Sequence, residues 1–435
     1  MVSRYRRDIT GLRSLAVGLV LAYHAGVPGF GGGFVGVDVF FVVSGYLITG
    51  LLVRELEEHG RINLWRFYAR RARRLLPASS AVLLFVALVV FITPRWLPGV
   101  VLPQLFGRSI SSDIQQSAVY LVNWRFAEQS ISYAGSEEFG SPVLHFWSLA
   151  VEEQFYAVWP VLVMVVAGIS ARSTKALGVV IATITALSLF HSWQFSAVLP
   201  DQAYFITTTR IWEMALGGLL AIAAPSMLRW LEGQPAAPGI CAFTRLVLPL
   251  SVAAIFYSAT QFSASTAYPG TAALIPTLAT AAILFAGSLR QVNGVVPFGT
   301  RLLEVSPMQW LGDRSYSVYL WHWPALWLAT AMFGPLSWAI SVAVVLVSIV
   351  PAAASYRFIE SPIRHGARWS GRPGFVMVGA GFLTLSGYAL GTALFASVAT
   401  FGEQSVVPEP VQTESSKCPT RGRRNRPGAH SAGSR

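Results

Sequence analysis

Apolar runs long enough to cross a bilayer recur from one end of the chain to the other, and that repetition leaves few folds open. A segment in hydrocarbon must satisfy its own backbone polar groups, which only a helix or a closed barrel can do. The runs are of about 20 residues, the length of a spanning helix rather than of a barrel strand. They lie near 11–28, 34–53, 76–93, 144–168, 176–198, 205–224, 244–261, 271–289, 315–333, 336–356 and 374–398. Hydrophobic residues make up 54% of the chain and charged residues 12%, against about 25% charged in a soluble domain. The sequence describes an all-α polytopic membrane protein. The stretch 100–124, with Arg108, Asp113 and a pair of glutamines, reads as re-entrant or interfacial.

Orientation follows from the placement of the cations. With a cytoplasmic N-terminus, 22 of the 32 Lys and Arg fall in segments placed inside, four (Arg95, Arg108, Arg125 and Arg210) in segments placed outside, and the remaining six in the C-terminal tail. That asymmetry is the positive-inside signature. It accounts for the net charge of +12 without a nucleic-acid partner. The N-terminus is Arg-rich like a signal peptide. Arg13 nevertheless enters the apolar run early and no small-residue cleavage site follows, so the first span is expected to be uncleaved. Cys241 and Cys418 lie far apart with no metal-ligand spacing, which indicates neither a disulfide framework nor a metal site. The tail 402–435, rich in Pro, Ser and Arg, reads as disordered and extracytoplasmic. No internal repeat is visible.

Ionisable residues inside apolar spans are costly, and they mark where chemistry would sit. Arg13 and His24 share the first span. Eleven residues at about 100° each bring both side chains to one helix face, roughly 16 Å apart. Asp38 enters the next span after a short Gly-rich turn, and a carboxylate beside an imidazole would orient its tautomer for acid–base work. The run FYARRARRLLPA (67–78) offers Arg70, Arg71, Arg73 and Arg74. They form either a clamp for a phosphorylated cytosolic ligand or a topology signal paired with anionic headgroups. In HFWSLAVEEQFYAVWP (145–160), His145, Trp147, Glu152 and Glu153 crowd a membrane entrance. Aromatics alone there would form an interface belt, whereas paired glutamates within a span must face protein or water; the mix suits a hydroxyl-rich acceptor such as a sugar. Arg210 and Glu213 are three apart and can pair on one face, as a structural ion pair or a substrate site. His322, with Tyr319, Tyr316 and Arg314 before it, either lines a cavity or bonds a neighbouring helix. Arg357 and Glu360 read as an anchor at an inner helix end. P-loop, GxSxG and HExxH patterns are absent.

The R-x10-H spacing of Arg13 and His24 is followed in order by VFFVVSGYL, FYARRARRLLP, HFWSLAVEEQFY, TRIWEMALG, SYSVYLWHWP and YRFIESP. With this ordered set, running from about residue 4 to 365, the chain resembles the acyltransferase family 3 integral-membrane O-acyltransferases. The resemblance implies transfer of acyl groups, usually acetyl, from cytosolic acyl-CoA to hydroxyls of extracytoplasmic glycans, glycolipids or other envelope molecules. It also implies His24 at the catalytic centre and Arg13 with the 70–74 arginines near the CoA phosphates. The architecture implied is about ten core transmembrane helices (1–365), and the chain adds an eleventh (366–401). Variants with an eleventh helix carry an SGNH hydrolase-like domain after it. No Gly-Asp-Ser block or Asp-x-x-His follows here, so that domain is expected to be absent or supplied by a separate chain.

The expected mechanism places CoA phosphates on Arg13, Arg70, Arg71, Arg73 and Arg74, without a metal. His24 is the general base, with Asp38 and Glu152 as its catalytic companions. The acceptor is contacted by His145, Trp147, Glu153, Arg210, Glu213, Tyr319 and His322. The alternative is an acyl relay feeding a separate extracytoplasmic SGNH transferase. The expected location is the bacterial plasma membrane.

Overall fold

The computed structural model describes residues 6–96, 102–129, 140–232, 238–293, 299–366 and 371–404, and every regular element among them is helical. Helix α1 (Arg7–His24) returns through a short 3-10 turn into α2 (Gly36–His59). There follow α3 (Leu64–Trp96), α4 (Leu102–Ala118), α5 (Val122–Glu128), α6 (Phe146–Ile169), α7 (Thr174–Val198) and α8 (Pro200–Phe205). Next come α9 (Ile211–Glu232), α10 (Pro238–Gln261), α11 (Leu274–Asn293), α12 (Thr300–Leu303), α13 (Ser306–Phe333) and α14 (Trp338–Ser355). Helix α14 runs through a π turn at Tyr356–Glu360 into α15 (Ser361–His365), and α16 is Pro373–Gln404.

Helices occupy all the apolar runs. By length and composition, seven of them among the described residues are able to cross a membrane: α2, α3, α6, α7, α9, α14 (counted with its continuation to His365) and α16. The chain is an all-α, multi-pass membrane protein. Helix α1 falls outside the seven because Arg7, Asp8 and Arg13 share its 18 residues. The 100–124 stretch resolves into α4 and the start of α5, tied together where Arg125 Nε lies 2.7 Å from the buried Asp113 carboxylate. Helix α16 packs along α3 and α4. Beyond Gln404, the tail expected to be disordered lies outside the described residues.

Cross-helix contacts fix relative directions. Arg13 meets Ser315 and His24 meets His322, so α1 and α13 run the same way. Leu75 meets Tyr316 and Phe85 meets Trp321, which aligns α3 with them. Helix α2 runs with α6 through Ser44–Glu152 and Thr49–Trp159, and with α9 through Asp38–Arg210 and Gly50–Ala221.

Small residues draw α2 and α9 together. A Cβ on Gly45 would lie 1.8 Å from the Met214 carbonyl oxygen, and one on Gly217 would lie 2.1 Å from that of Val42. In a bundle where lipid is as apolar as the interior, such backbone proximity and its dispersion contacts hold helices together.

Candidate active site

Helices α1 and α13 present polar residues to each other at helical spacing: Arg13 and His24 on one, Ser315, Tyr319 and His322 on the other. They form two polar levels along a shared seam.

The first level is a pocket of ≈ 720 Å³ of empty space, open solvent at its mouth included. Arg13, Arg71 and Arg74 bring guanidinium groups to its wall, and Glu152 is the carboxylate among them. Arg13 Nη2 donates to Ser315 Oγ at 2.8 Å. Ser44 and Tyr156 both donate hydroxyls to Glu152, and the Arg71 guanidinium lies 4.5 Å from the centre of the Tyr156 ring. Tyr316 Oη donates to the Leu75 carbonyl at 2.9 Å, tying the arginine-bearing turn of α3 to α13. The remaining wall is apolar, from Val37, Phe40, Phe41, Leu47 and Leu149.

The second level is a nest of imidazoles beyond Tyr319. His24 Nδ1 lies 2.8 Å from His322 Nε2, and His322 Nδ1 lies 2.6 Å from the Tyr319 carbonyl. His145 Nε2 is 3.1 Å from the Leu320 carbonyl, with its ring centre 5.8 Å from that of His322. Trp323 stands edge-on to His24, 4.7 Å between ring centres. Tyr319 belongs to both levels. It lines the pocket, donates its hydroxyl to the His145 carbonyl at 2.9 Å and shares a 2.7 Å bond with Ser148. Among the described residues no group of three or more His, Cys, Asp or Glu is arranged to hold a metal ion.

A scan against protein families matches the acyltransferase domain model over residues 6–357. The chain belongs to the acyltransferase domain family. Its relatives include YrhL of Bacillus subtilis, 34% identical over 377 residues, 83% of this chain and 55% of that one. The peptidoglycan O-acetyltransferase OatA of Listeria monocytogenes is 31% identical over 380 residues, 83% of this chain and 56% of its own. The O-acetyltransferase OatA of Staphylococcus aureus is 30% identical over 365 residues, 83% and 57%. The chain thus spans about half the length of these relatives. No solved structure matches it.

Within this acyltransferase domain the sequence-derived candidates separate into groups. Arg13, Arg71, Arg74, Glu152 and Tyr319 meet at the pocket; His24, His145 and His322 meet beyond it. Glu152 was expected at an acceptor entrance and instead stands among the pocket arginines, because α6 carries it two turns past His145. Arg70 and Arg73 do not line the pocket. Arg71 and Arg74 reach the pocket from α3, whereas Arg70 turns to Glu55 at 3.3 Å. Glu153, one step around α6 from Glu152, is also outside the lining.

The expected pairing of Asp38 with His24 is replaced by another. Asp38 Oδ1 lies 3.2 Å from Arg210 Nη1, which also donates to Glu213 Oε1 at 2.8 Å. All these side chains are fully buried. Phe41, Trp147, Tyr204 and Tyr268 surround the guanidinium, each ring centre 5.4–5.5 Å from Arg210 Cζ. A cation this deep is costly unless paired with carboxylates, and Asp38, at the start of α2, faces α9 rather than α1. Trp147, Arg210 and Glu213, expected as substrate contacts, are packed together between helices; none of them lines the pocket, although Phe41 belongs to both its wall and the cage around Arg210. Glu360, read as an anchor, is buried instead. The π turn aims it inward to accept from Ser317 Oγ at 2.8 Å, with Arg364 at 3.4 Å.

The hydroxyls Ser44, Ser148, Ser315 and Ser317 were missed by the sequence reading. Their only signal was spacing: Ser315, Tyr319 and His322 repeat at four and three residues, one face of a helix.

Proposed function

We propose that the chain is a membrane O-acyltransferase. It moves an acyl group, acetyl in keeping with its named relatives, from cytosolic acyl-CoA to a hydroxyl of an extracytoplasmic glycan or other envelope acceptor. The observation that carries this reading is the seam between α1 and α13, with a guanidinium-lined pocket at one level, the His24 imidazole at the next, and Tyr319 between them. Arg13, Arg71 and Arg74 suit the phosphates of the donor, since planar guanidinium forks bind phosphate bidentately. His24 takes the proton from the acceptor hydroxyl. The acceptor oxygen bonds to the acyl carbon as the carbon–sulfur bond breaks, and the proton on His24 passes to the departing sulfur. General-base assistance of this kind contributes about 10²–10⁴-fold.

The proposed topology has ten core helices in 1–365 and an eleventh in 366–401, with the N-terminus in the cytoplasm of a bacterial plasma-membrane protein. The shared direction of α1, α3 and α13, and the opposite one of α2, α6 and α9, support this count. They would be crossings one, three and nine against two, four and six. Arg13, Arg71 and Arg74 would then open toward the cytosol and His24 toward the far leaflet.

The test is mass spectrometry of envelope glycans from cells with the full chain, without it, and with His24→Ala at equal membrane levels. The expected result is an acyl mass that disappears without the protein and in the variant. Full acylation by the His24→Ala protein would refute the role given to His24. An acyl group trapped on His24 in the absence of acceptor would instead favour a relay to a separate SGNH-type protein.

A further inference from the structure

A general base needs its lone pair on the correct nitrogen, and something must hold it there. For a histidine in water the two tautomers exchange freely; in a packed bundle the neighbour of one nitrogen decides the state of the other. The expected neighbour, Asp38, is committed to Arg210 at 3.2 Å. The position beside His24 is occupied by another imidazole.

His24 Nδ1 and His322 Nε2 are 2.8 Å apart. The rings lie edge to edge in nearly one plane, 18° apart with centres 5.0 Å from each other, as an in-plane N–H···N bond requires. Between neutral rings, one nitrogen must carry the proton and the other the lone pair. The far side of His322 settles which. Its Nδ1 lies 2.6 Å from the Tyr319 carbonyl, and a carbonyl only accepts. His322 Nδ1 therefore holds the hydrogen, His322 Nε2 holds the lone pair, and His24 Nδ1 is the donor. The proton-accepting nitrogen of His24 is then Nε2. His145 does not compete for this bond, since its Nε2 is directed to the Leu320 carbonyl at 3.1 Å.

We infer that His322 is a positioning residue: held by the Tyr319 carbonyl, it fixes His24 in the Nδ1–H tautomer and so leaves Nε2 as the base. The arrangement has the logic of the carboxylate in a Ser-His-Asp triad, which selects a tautomer without itself taking the proton. Here the acceptor is uncharged, so the tautomer is fixed without a further anion inside the bundle, where each unpaired charge is costly. The π-faces and edges around the pair come from Trp323 and Tyr23, with ring centres 4.7 Å and 5.1 Å from that of His24. The backbone link to Tyr319 also joins the pair to the residue that lines the donor pocket.

The inference rests on His24 being the base, and its test separates the two. The full chain, labelled with 15N-histidine, has seven histidines, and His24→Ala assigns the His24 signals. The 15N shifts of the wild type are expected to show Nδ1 protonated and Nε2 unprotonated in His24. His322→Leu removes the acceptor; His24 is then expected to revert toward the Nε2–H form, with transfer falling about 10²–10⁴-fold. His322→Gln can return an amide oxygen near the former Nε2 position. It should keep the Nδ1–H tautomer and retain activity within about tenfold of wild type. An Nε2–H signal for His24 in the wild type overturns the inference whatever the variants do, including a His322→Leu protein that fails to fold. A folded His322→Leu protein with wild-type tautomer and rate overturns it equally. Full activity in His24→Ala would remove the base role while leaving the tautomer measurement standing by itself.

Discussion

His24 gains its meaning from what lies eleven residues before it and from what lies across the seam. Arg13 is fixed by Ser315 at 2.8 Å, and its neighbours on α3 separate by face. Arg71→Ala and Arg74→Ala should each raise KM for acyl-CoA by about 10–100-fold, as expected for losing a charge-assisted hydrogen bond. Arg70→Ala and Arg73→Ala should leave it within about threefold, because neither side chain lines the pocket. Steady-state kinetics on membranes with acetyl-CoA measures all four; a large effect at Arg70 would contradict the geometry. At this scale the sequence showed the residue types but not their directions. Charge in an apolar run made Arg13, His24 and Glu152 visible. The partner of Asp38 was invisible, because nothing in a linear spacing tells that the start of α2 faces α9 rather than α1.

Between elements, the α2–α9 contact carries the most geometric constraint. Gly45→Val would drive a branched side chain into the Met214 carbonyl, which lies 1.8 Å from the position of a Cβ, and little folded protein is expected. Gly178→Ala on α7, where a Cβ meets nothing within 4 Å, should be tolerated; size-exclusion profiles in detergent compare the two. The ion cluster at the head of the same pair makes a second prediction. Asp38→Ala leaves Arg210 with Glu213 as its one carboxylate and should destabilise the protein by about 3–5 kcal/mol. The measurement is a thermal unfolding midpoint. A protein of unchanged stability that has lost transfer would return Asp38 to the catalytic group. The Gly-rich turn before α2 was legible in the sequence; that Gly45 and Gly217, inside helices, would be the points of closest approach was not, nor was which helix would approach them.

At the scale of the whole molecule, hydrophobic periodicity and length carried the helices, because a bilayer-crossing run has essentially one way to satisfy its backbone. Charge asymmetry carried the proposed orientation, and the parallel courses of α1, α3 and α13 agree with its parity. The site was harder to see because it is assembled from five helices whose order in space is set by side-chain packing. Single cysteines in a cysteine-free background test the topology. Arg61→Cys, in the turn between α2 and α3, should react with an impermeant maleimide only after the membrane is opened. Ser265→Cys, exposed in the loop between α10 and α11, should react in intact cells. The reverse pattern would invert the proposed course of the reaction.

Helix α1 runs unbroken from Arg7 to His24, and so it behaves as a ruler with a phase. One alanine inserted between Arg13 and His24 would swing the imidazole by about 100° and lift it about 1.5 Å. Seven would bring it back to within about 20° of its original face, but about 10 Å too far along. Distance and angle cannot both be restored by any insertion. The interval between the two residues is therefore a fixed dimension of the proposed reaction, set by the pitch of a single helix.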